Sequence, residues 1–209
     1  MCEPVLYYFP FQGRGEIIRY VLAAGNISYK EVNDVSNYKE DSPFGQLPYV
    51  EIEGKRIGQS NAIAKYFAKK AGLLGKNDLE ELEITSYADF IVYDCIEDSL
   101  TKFAPIYYDK NVTEEQFNDI KNVILENYAT KMETLDKVVK GDFLLGDQMS
   151  LADIALAYCY SWGEVLLPDG FKAKLSSRIN SIAEKVFEQK YLKEYISKRV
   201  IPVIPPRPT

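Results

Sequence analysis

The sequence predicts an α/β unit followed by an all-helical unit, and three observations carry that reading. Residues 4 to 75 alternate between strand and helix signals. From about Leu79 onward the strand signal disappears and long helical periodicity takes over, with breaks near Pro105, near Gly141 and near Pro168-Asp169-Gly170. Between them, Gly72-Leu-Leu-Gly75-Lys-Asn-Asp78 alone has linker character, which divides the chain into 1–75 and 79–209.

In the first unit, Val5 to Phe9 is an aromatic and β-branched run that reads as a strand, broken by Gly13. Ile17, Ile18, Val21 and Leu22 recur at three- and four-residue steps up to Gly25 and Asn26, the pattern of an amphipathic helix with a stop that tolerates left-handed backbone. A second strand around Ser28 to Asn33 would lie parallel to the first through a right-handed crossover. After an irregular segment, Pro48 to Ile52 alternates inward and outward residues, Glu53-Gly54 is a turn pair, and Lys55 to Gly58 returns, which predicts a hairpin. Ser60 is then placed to cap a helix whose buried stripe is Ala62, Ile63, Tyr66 and Phe67 and which ends near Gly72. The order is βαβ, then ββα.

In the second unit, Ser150-Leu-Ala-Asp153 reads as a capping box with Asp reaching back, and Met149 with Ile154 as its hydrophobic staple. The run Ile154 to Trp162 that follows is apolar almost all round, which predicts the central buried helix. Ile201 to Thr209, with four prolines, is incompatible with a helix.

The 209 residues, 46% hydrophobic and 27% charged, suffice for one large core or two modest ones. No apolar run approaches the about eighteen residues of a membrane span, and no leader pattern opens the chain, so a cytoplasmic protein without a membrane partner is expected. Cys2, Cys95 and Cys159 are odd in number and irregularly spaced, as incidental or buried thiols are; Cys95 and Cys159 fall in apolar helical surroundings and read as core. A net charge of −6 argues against a nucleic-acid partner. The absence of histidine removes the commonest general base and metal ligand, so any catalysis runs on tyrosine, carboxylate, cysteine, lysine or arginine, and no metal is expected.

Four motifs stand in order along the chain: Leu6-Tyr-Tyr-Phe9 with Gly13-Arg-Gly-Glu-Ile-Ile-Arg-Tyr20, then Pro43-Phe-Gly-Gln-Leu-Pro48, then Gln59-Ser-Asn-Ala-Ile-Ala-Lys-Tyr66, then Gly146-Asp-Gln-Met-Ser-Leu-Ala-Asp153. With the βαβ-ββα and all-helical order, they resemble the cytosolic glutathione transferase family over the whole chain. Within it the chain looks like the tyrosine-type sigma class and its helminth relatives. The resemblance implies a thioredoxin-like glutathione-binding domain over 1–75 and a helical domain over 79–209 that carries the electrophile pocket. It also implies glutathione as co-substrate and a homodimer.

The family reaction adds the glutathione thiol to an electrophilic carbon. A thiol of pKa about 8.5 is mostly protonated at neutral pH, so the site must favour the anion. By resemblance Tyr8 is the phenol that donates to the thiolate, while Tyr7 points to the opposite face and is structural; the bland alternative makes both tyrosines core aromatics. Arg14 is implied to steady the thiol electrostatically, or else to be a solvated surface arginine, and Arg19 reads as packing support. Leu47-Pro48 looks like the family's cis-proline step, which gives Leu47 a backbone role toward the cysteinyl part of glutathione; a trans proline in an ordinary turn is the alternative. Gln46 can reach the glycine end.

Gln59 and Ser60, at a helix start with free amides and a positive dipole end, are implied to hold the γ-glutamyl end, without excluding that Ser60 is also a plain cap. Lys39 matches the position of a lysine that pairs with the glycine carboxylate, and Tyr38 that of a tryptophan, although this segment is shorter than the sigma pattern. The acidic residue that relatives send into the partner subunit's site aligns on Tyr93, with Asp94 beside it and Asp98 one turn on; Asp94 is favoured. Phe9, Phe11, the Phe103 to Tyr108 stretch, Phe103 and Tyr107 in particular, and the C-terminal tail are expected to wall a pocket between the two domains for a hydrophobic electrophile, the aromatics otherwise being core.

Three functions fit: a conjugating or prostaglandin-isomerising enzyme, a noncatalytic binder of haem or other hydrophobic ligands, and a crystallin-like structural relative. Tyr8, Arg14, Gln59 and Ser60 together favour the enzyme. A glutaredoxin-like thiol role is disfavoured, because no cysteine stands at the helix start where such a nucleophile is presented.

Overall fold

The computed structural model describes residues 3–167 and 170–204. Cys2, the break at Pro168-Asp169 and the tail prolines Pro205, Pro206 and Pro208 lie outside the described residues. By its contacts the described chain forms two compact units, one running to Glu81 and including 188–204, the other spanning 82–187.

The first unit contains β1 Val5–Tyr7, α1 Glu16–Ala24, β2 Lys30–Val32, α2 Tyr38–Asp41, β3 Tyr49–Ile52, β4 Lys55–Gly58 and α3 Ser60–Lys70. The sheet order is β2-β1-β3-β4; β1 and β2 are parallel, and the other pairs are antiparallel. β1 is two residues shorter than its apolar run. Tyr8 still donates its amide to Val32 at 3.1 Å, but Phe11 then folds back onto the Phe9 carbonyl and ends the pairing. The hairpin turn is the one the sequence asks for, with Glu53 at φ 52° and Gly54 at φ 75°, the left-handed pair that matches the strand twist. The four-residue α2 in the irregular segment was not expected, because a single turn is too short to show periodicity.

Two expectations about α3 need correction. Gln59, not Ser60, occupies the cap position, and Ser60 is the first helical residue. The buried stripe is Ile63, Ala64, Phe67 and Ala68, whereas Ala62 and Tyr66 are exposed. The helix is rotated by one position from the expected phase, since Ala64 and Ala68 are small enough for close approach to α1, against which α3 packs. Leu6, Ile18, Val21, Leu22 and Val50 complete this core.

The second unit is helical: α4 Asp78–Asp89 starts in the first unit and continues through a π-helical segment Phe90–Glu97 into α5 Asp98–Tyr108, followed by α6 Glu114–Asp136, α7 Leu151–Leu166, α8 Phe171–Lys174 and α9 Ser177–Phe187. Pro105 does not break α5; the Thr101 carbonyl that its ring deprives of a donor belongs to an exposed residue, where water can serve instead. α7 is the central helix, with thirteen of its residues buried. Its capping box is formed, and Asp153 additionally accepts from the Leu144 amide at 2.8 Å, which ties the preceding loop to the helix start. Cys95 and Cys159 are both buried here.

The division at the C-terminal end differs from that expected. α10 Lys190–Lys198 and the segment after it pack with the first unit, α10 against α1, although they follow the helical unit in sequence. Among the described residues no helix is long and apolar enough to cross a membrane.

Candidate active site

Sheet register brings the candidate residues to one edge. Tyr7 pairs with Tyr49, Tyr49 with Gly58, and Tyr7 also with Val32, so these four form one row across the sheet. Tyr8, Leu47-Pro48 and Gln59-Ser60 stand one or two residues beyond that row. This is also the carboxyl end of the parallel pair, where open sheets present ligands. The Leu47-Pro48 peptide is cis. Gln59 has φ 72° and ψ 106°, a backbone conformation that costs a non-glycine residue energy and that clusters at ligand sites.

Tyr8 is enclosed on almost every side. Its ring lies between Gly13 and Gly15: a Cβ on the first would stand 2.4 Å from Tyr8 Oη, and one on the second 2.5 Å from Tyr8 Cδ1. The 3-10 turn Gly13–Gly15 thereby presses backbone onto the phenol, and the Arg14 amide donates to Oη at 2.8 Å. Tyr8 is 5% exposed, and burial pushes its hydroxyl up to about 12, against the lowering pull of the Arg14 amide and of the Arg14 and Arg19 charges. The phenol is therefore neutral at physiological pH. With one lone pair taken by an amide, its hydrogen is available to donate outward. The Arg14 side chain itself is exposed.

Phe9 and Phe11 stack at 5.6 Å and both meet the Tyr8 ring, at 5.8 and 5.5 Å; Phe9 also meets Tyr38 edge-on at 5.9 Å. These rings make a low-dielectric wall in which a hydrogen bond to a charged acceptor is strengthened. Tyr7 stacks on Tyr49 at 4.4 Å. Lys39 and Gln46 are exposed, and the Gln46 amide donates to Ser42 Oγ at 2.7 Å. In the helical unit, Phe103 is buried against Tyr107 and Phe117, and Tyr107 is half-buried. Asp94 and Tyr93 are exposed side by side on the π-helical segment, whereas Asp98 turns inward to Lys102, Lys131 and Asn127.

Sequence reasoning undervalued Arg19. It is 1% exposed and donates to Glu31 and Glu16 as well as to the Phe9, Phe11 and Gln12 carbonyls at 3.0 to 3.4 Å, holding the loop after β1 from below. Burial pulls its guanidinium down, but Glu31 and Glu16 raise it further, so it stays charged. Its centre lies 5.5 Å from the Tyr8 ring centroid. Asn33 was missed as well; its side-chain amide donates to the Tyr8 carbonyl at 3.0 Å. The Glu16/Arg19 spacing was a readable ion-pair signal, but its burial was not, since such pairs usually face solvent.

The sequence matches two family models, "Glutathione S-transferase, N-terminal domain" over residues 4–69 and "Glutathione S-transferase, C-terminal domain" over 97–199. It is 29% identical to a glutathione S-transferase of Anopheles gambiae over 94% of this chain and 96% of that one. It is 31% identical to the hematopoietic prostaglandin D synthase of Rattus norvegicus over 85% and 88% respectively. A monomeric glutathione S-transferase of the hookworm Necator americanus superposes with a TM-score of 0.77 at 31% identity, covering 94% of this chain and 97% of the hookworm chain. The two matched domains thus define a glutathione-dependent enzyme with a thioredoxin-like first domain. The chain belongs to the glutathione S-transferase family.

Proposed function

We propose that this chain is a cytoplasmic, sigma-like glutathione transferase in which the neutral phenol of Tyr8 donates a hydrogen bond to the glutathione sulfur and holds it as thiolate. The observation that carries this reading is the buried Tyr8 hydroxyl accepting from the Arg14 amide at 2.8 Å, which fixes Oη and leaves its hydrogen to donate. A donor fixed in advance where charge resides stabilises the anion without reorganising, and the Phe9 and Phe11 wall keeps the bond strong. The exposed Arg14 guanidinium adds a positive field beside the sulfur. Gln59 and Ser60, at the positive end of the eleven-residue α3, hold the γ-glutamyl carboxylate; their place on the same sheet edge as Tyr8 supports this.

Leu47 offers its backbone to the cysteinyl part, and Gln46, Lys39 and Tyr38 serve the glycine end. The exposure of Lys39 and Gln46 and the contact of Tyr38 with Phe9 support that assignment. Phe9 and Phe11 give an apolar electrophile an aromatic surface beside the phenol. In the helical unit the half-buried Tyr107 is open to such contact, and Phe103 backs it. The chain acts as a homodimer in which Asp94 reaches the partner subunit's site; the outward Asp94 carboxylate, set against the internally paired Asp98, supports this choice.

Similarity to the rat prostaglandin D synthase supports a second, glutathione-dependent isomerase activity at the same site. Assays of glutathione with halonitroarenes, unsaturated aldehydes, hydroperoxides and prostaglandin H2 test both. Turnover of any of these that falls about tenfold or more in Tyr8→Phe, or about 1.4 kcal/mol of barrier, is the expected result. Binding of hydrophobic ligands with no turnover of the panel would return the chain to the noncatalytic readings.

A further inference from the structure

The C-terminal segment reaches back to the loop that carries the Tyr8 contact. The Gln12 amide donates to the Pro202 carbonyl at 2.8 Å, and the Gly13 amide to the Val203 carbonyl at 3.4 Å. With its amide turned to satisfy both partners, Gln12 Oε1 accepts from Arg199 Nε and Nη2 at 3.2 Å. These are the residues immediately before Arg14, whose own amide sits on Tyr8 Oη.

The segment is anchored at one buried carboxylate. Glu16, at the start of α1 and 0% exposed, accepts from Arg199 at 2.7 Å, from the Tyr195 hydroxyl at 3.0 Å and from Arg19 at 3.0 Å. Arg199 also donates to Tyr20 Oη at 3.0 Å. The buried Glu16 and Arg19 pair with each other and with the half-buried Arg199 and the more open Glu31, the condition under which buried charges are tolerated. Arg19 therefore grips the loop carbonyls on one side while the C-terminal segment grips the loop amides on the other. Both grips meet at Glu16.

We propose that Tyr195, Arg199 and the backbone of Pro202 and Val203 form a positioning strap that holds the Gln12–Arg14 loop against Tyr8, and so sets how strongly that phenol can stabilise a glutathione thiolate. This rests on the Tyr8 reading above. The strap touches no substrate; it acts through the loop. Loosening it frees the Arg14 amide from Oη, weakens the polarisation of the phenol and lets its hydrogen swing away from the sulfur.

Two folded variants test this, Arg199→Met and the milder Tyr195→Phe, which keeps the ring that packs on Tyr20. Amide hydrogen exchange in the ligand-free protein is expected to speed up by about tenfold or more at Gln12, Gly13 and Arg14, while amides of β3 and β4 stay as protected as in the parent. The pH titration of thiolate absorbance in the glutathione complex is expected to move toward that of the free thiol with little change in glutathione affinity, and Arg199→Lys to recover part of the shift. If Arg199→Met does not fold, Tyr195→Phe carries the test. Unchanged exchange in the folded variants overturns the strap, as does faster exchange with an unmoved thiol titration where Tyr8→Phe does move it. If Tyr8→Phe itself leaves the titration unmoved, the Tyr8 reading fails, and exchange alone then judges whether the segment holds the loop.

Discussion

At the scale of single residues, the site is organised by what surrounds one hydroxyl. Tyr8 owes its setting to two glycines, because only a hydrogen at Gly13 and Gly15 lets the backbone come so near the ring. Gly15 has no need of left-handed backbone, so Gly15→Ala isolates the steric role: its Cβ meets ring carbons at 2.5 to 3.0 Å that belong to a packed side chain. The expected outcome is a loss of kcat/KM of about tenfold or more through displacement of the phenol, with a lower melting temperature, both read on purified enzyme. The phenol also leaves a mark on stability. Its folded value of about 12 lies above the unfolded value of about 10, so ionisation opposes folding. Its contribution is complete below pH about 10 and is lost as pH climbs toward about 12, so Tyr8→Phe should lose less stability than the parent in alkaline unfolding, while the other raised tyrosines such as Tyr29 and Tyr128 lose theirs in both.

At the scale of elements, the second unit turns on the start of α7. Asp153 accepts from the Ser150 amide, the Ser150 hydroxyl and the Leu144 amide, each at 2.8 Å and all buried. Asp153→Ala leaves those donors without a partner and is expected to cost about 2 to 3 kcal/mol in urea unfolding, against about 1 for Ser150→Ala. This cap was legible in the sequence because its grammar is local, three residues apart, as was the hairpin whose turn pair is Glu53-Gly54. The phase of α3 was not. Ala62 and Tyr66 look as apolar as Ala64 and Phe67, and only the packing partner decides which side of the helix is covered. The π-helical segment and the fate of Pro105 were equally illegible, since nothing in the residues between Asp78 and Tyr108 announces a change of helical winding.

At the scale of the whole chain, what sequence reasoning missed is what joins residues far apart. Tyr8, Gln59 and Leu47-Pro48 stand out as candidates from motifs, and register alone gathers them on one sheet edge. Arg19, Asn33 and the pairing of Glu16 with Tyr195 and Arg199 depend on which surfaces close over which charges, and no local pattern records that. The proposed homodimer would likewise be a property of assembled surfaces. Sedimentation should give a species of about twice the 23.9 kDa chain mass, and a monomer, as described for the hookworm relative, would remove Asp94 from the site. The most direct test is narrower: the absorbance of the thiolate in the glutathione complex, followed against pH in the parent and in Tyr8→Phe. The parent should ionise well below the about 8.5 of a free thiol and the variant close to it. Two superimposable curves would contradict the assignment of the phenol as the group that holds the sulfur ionised.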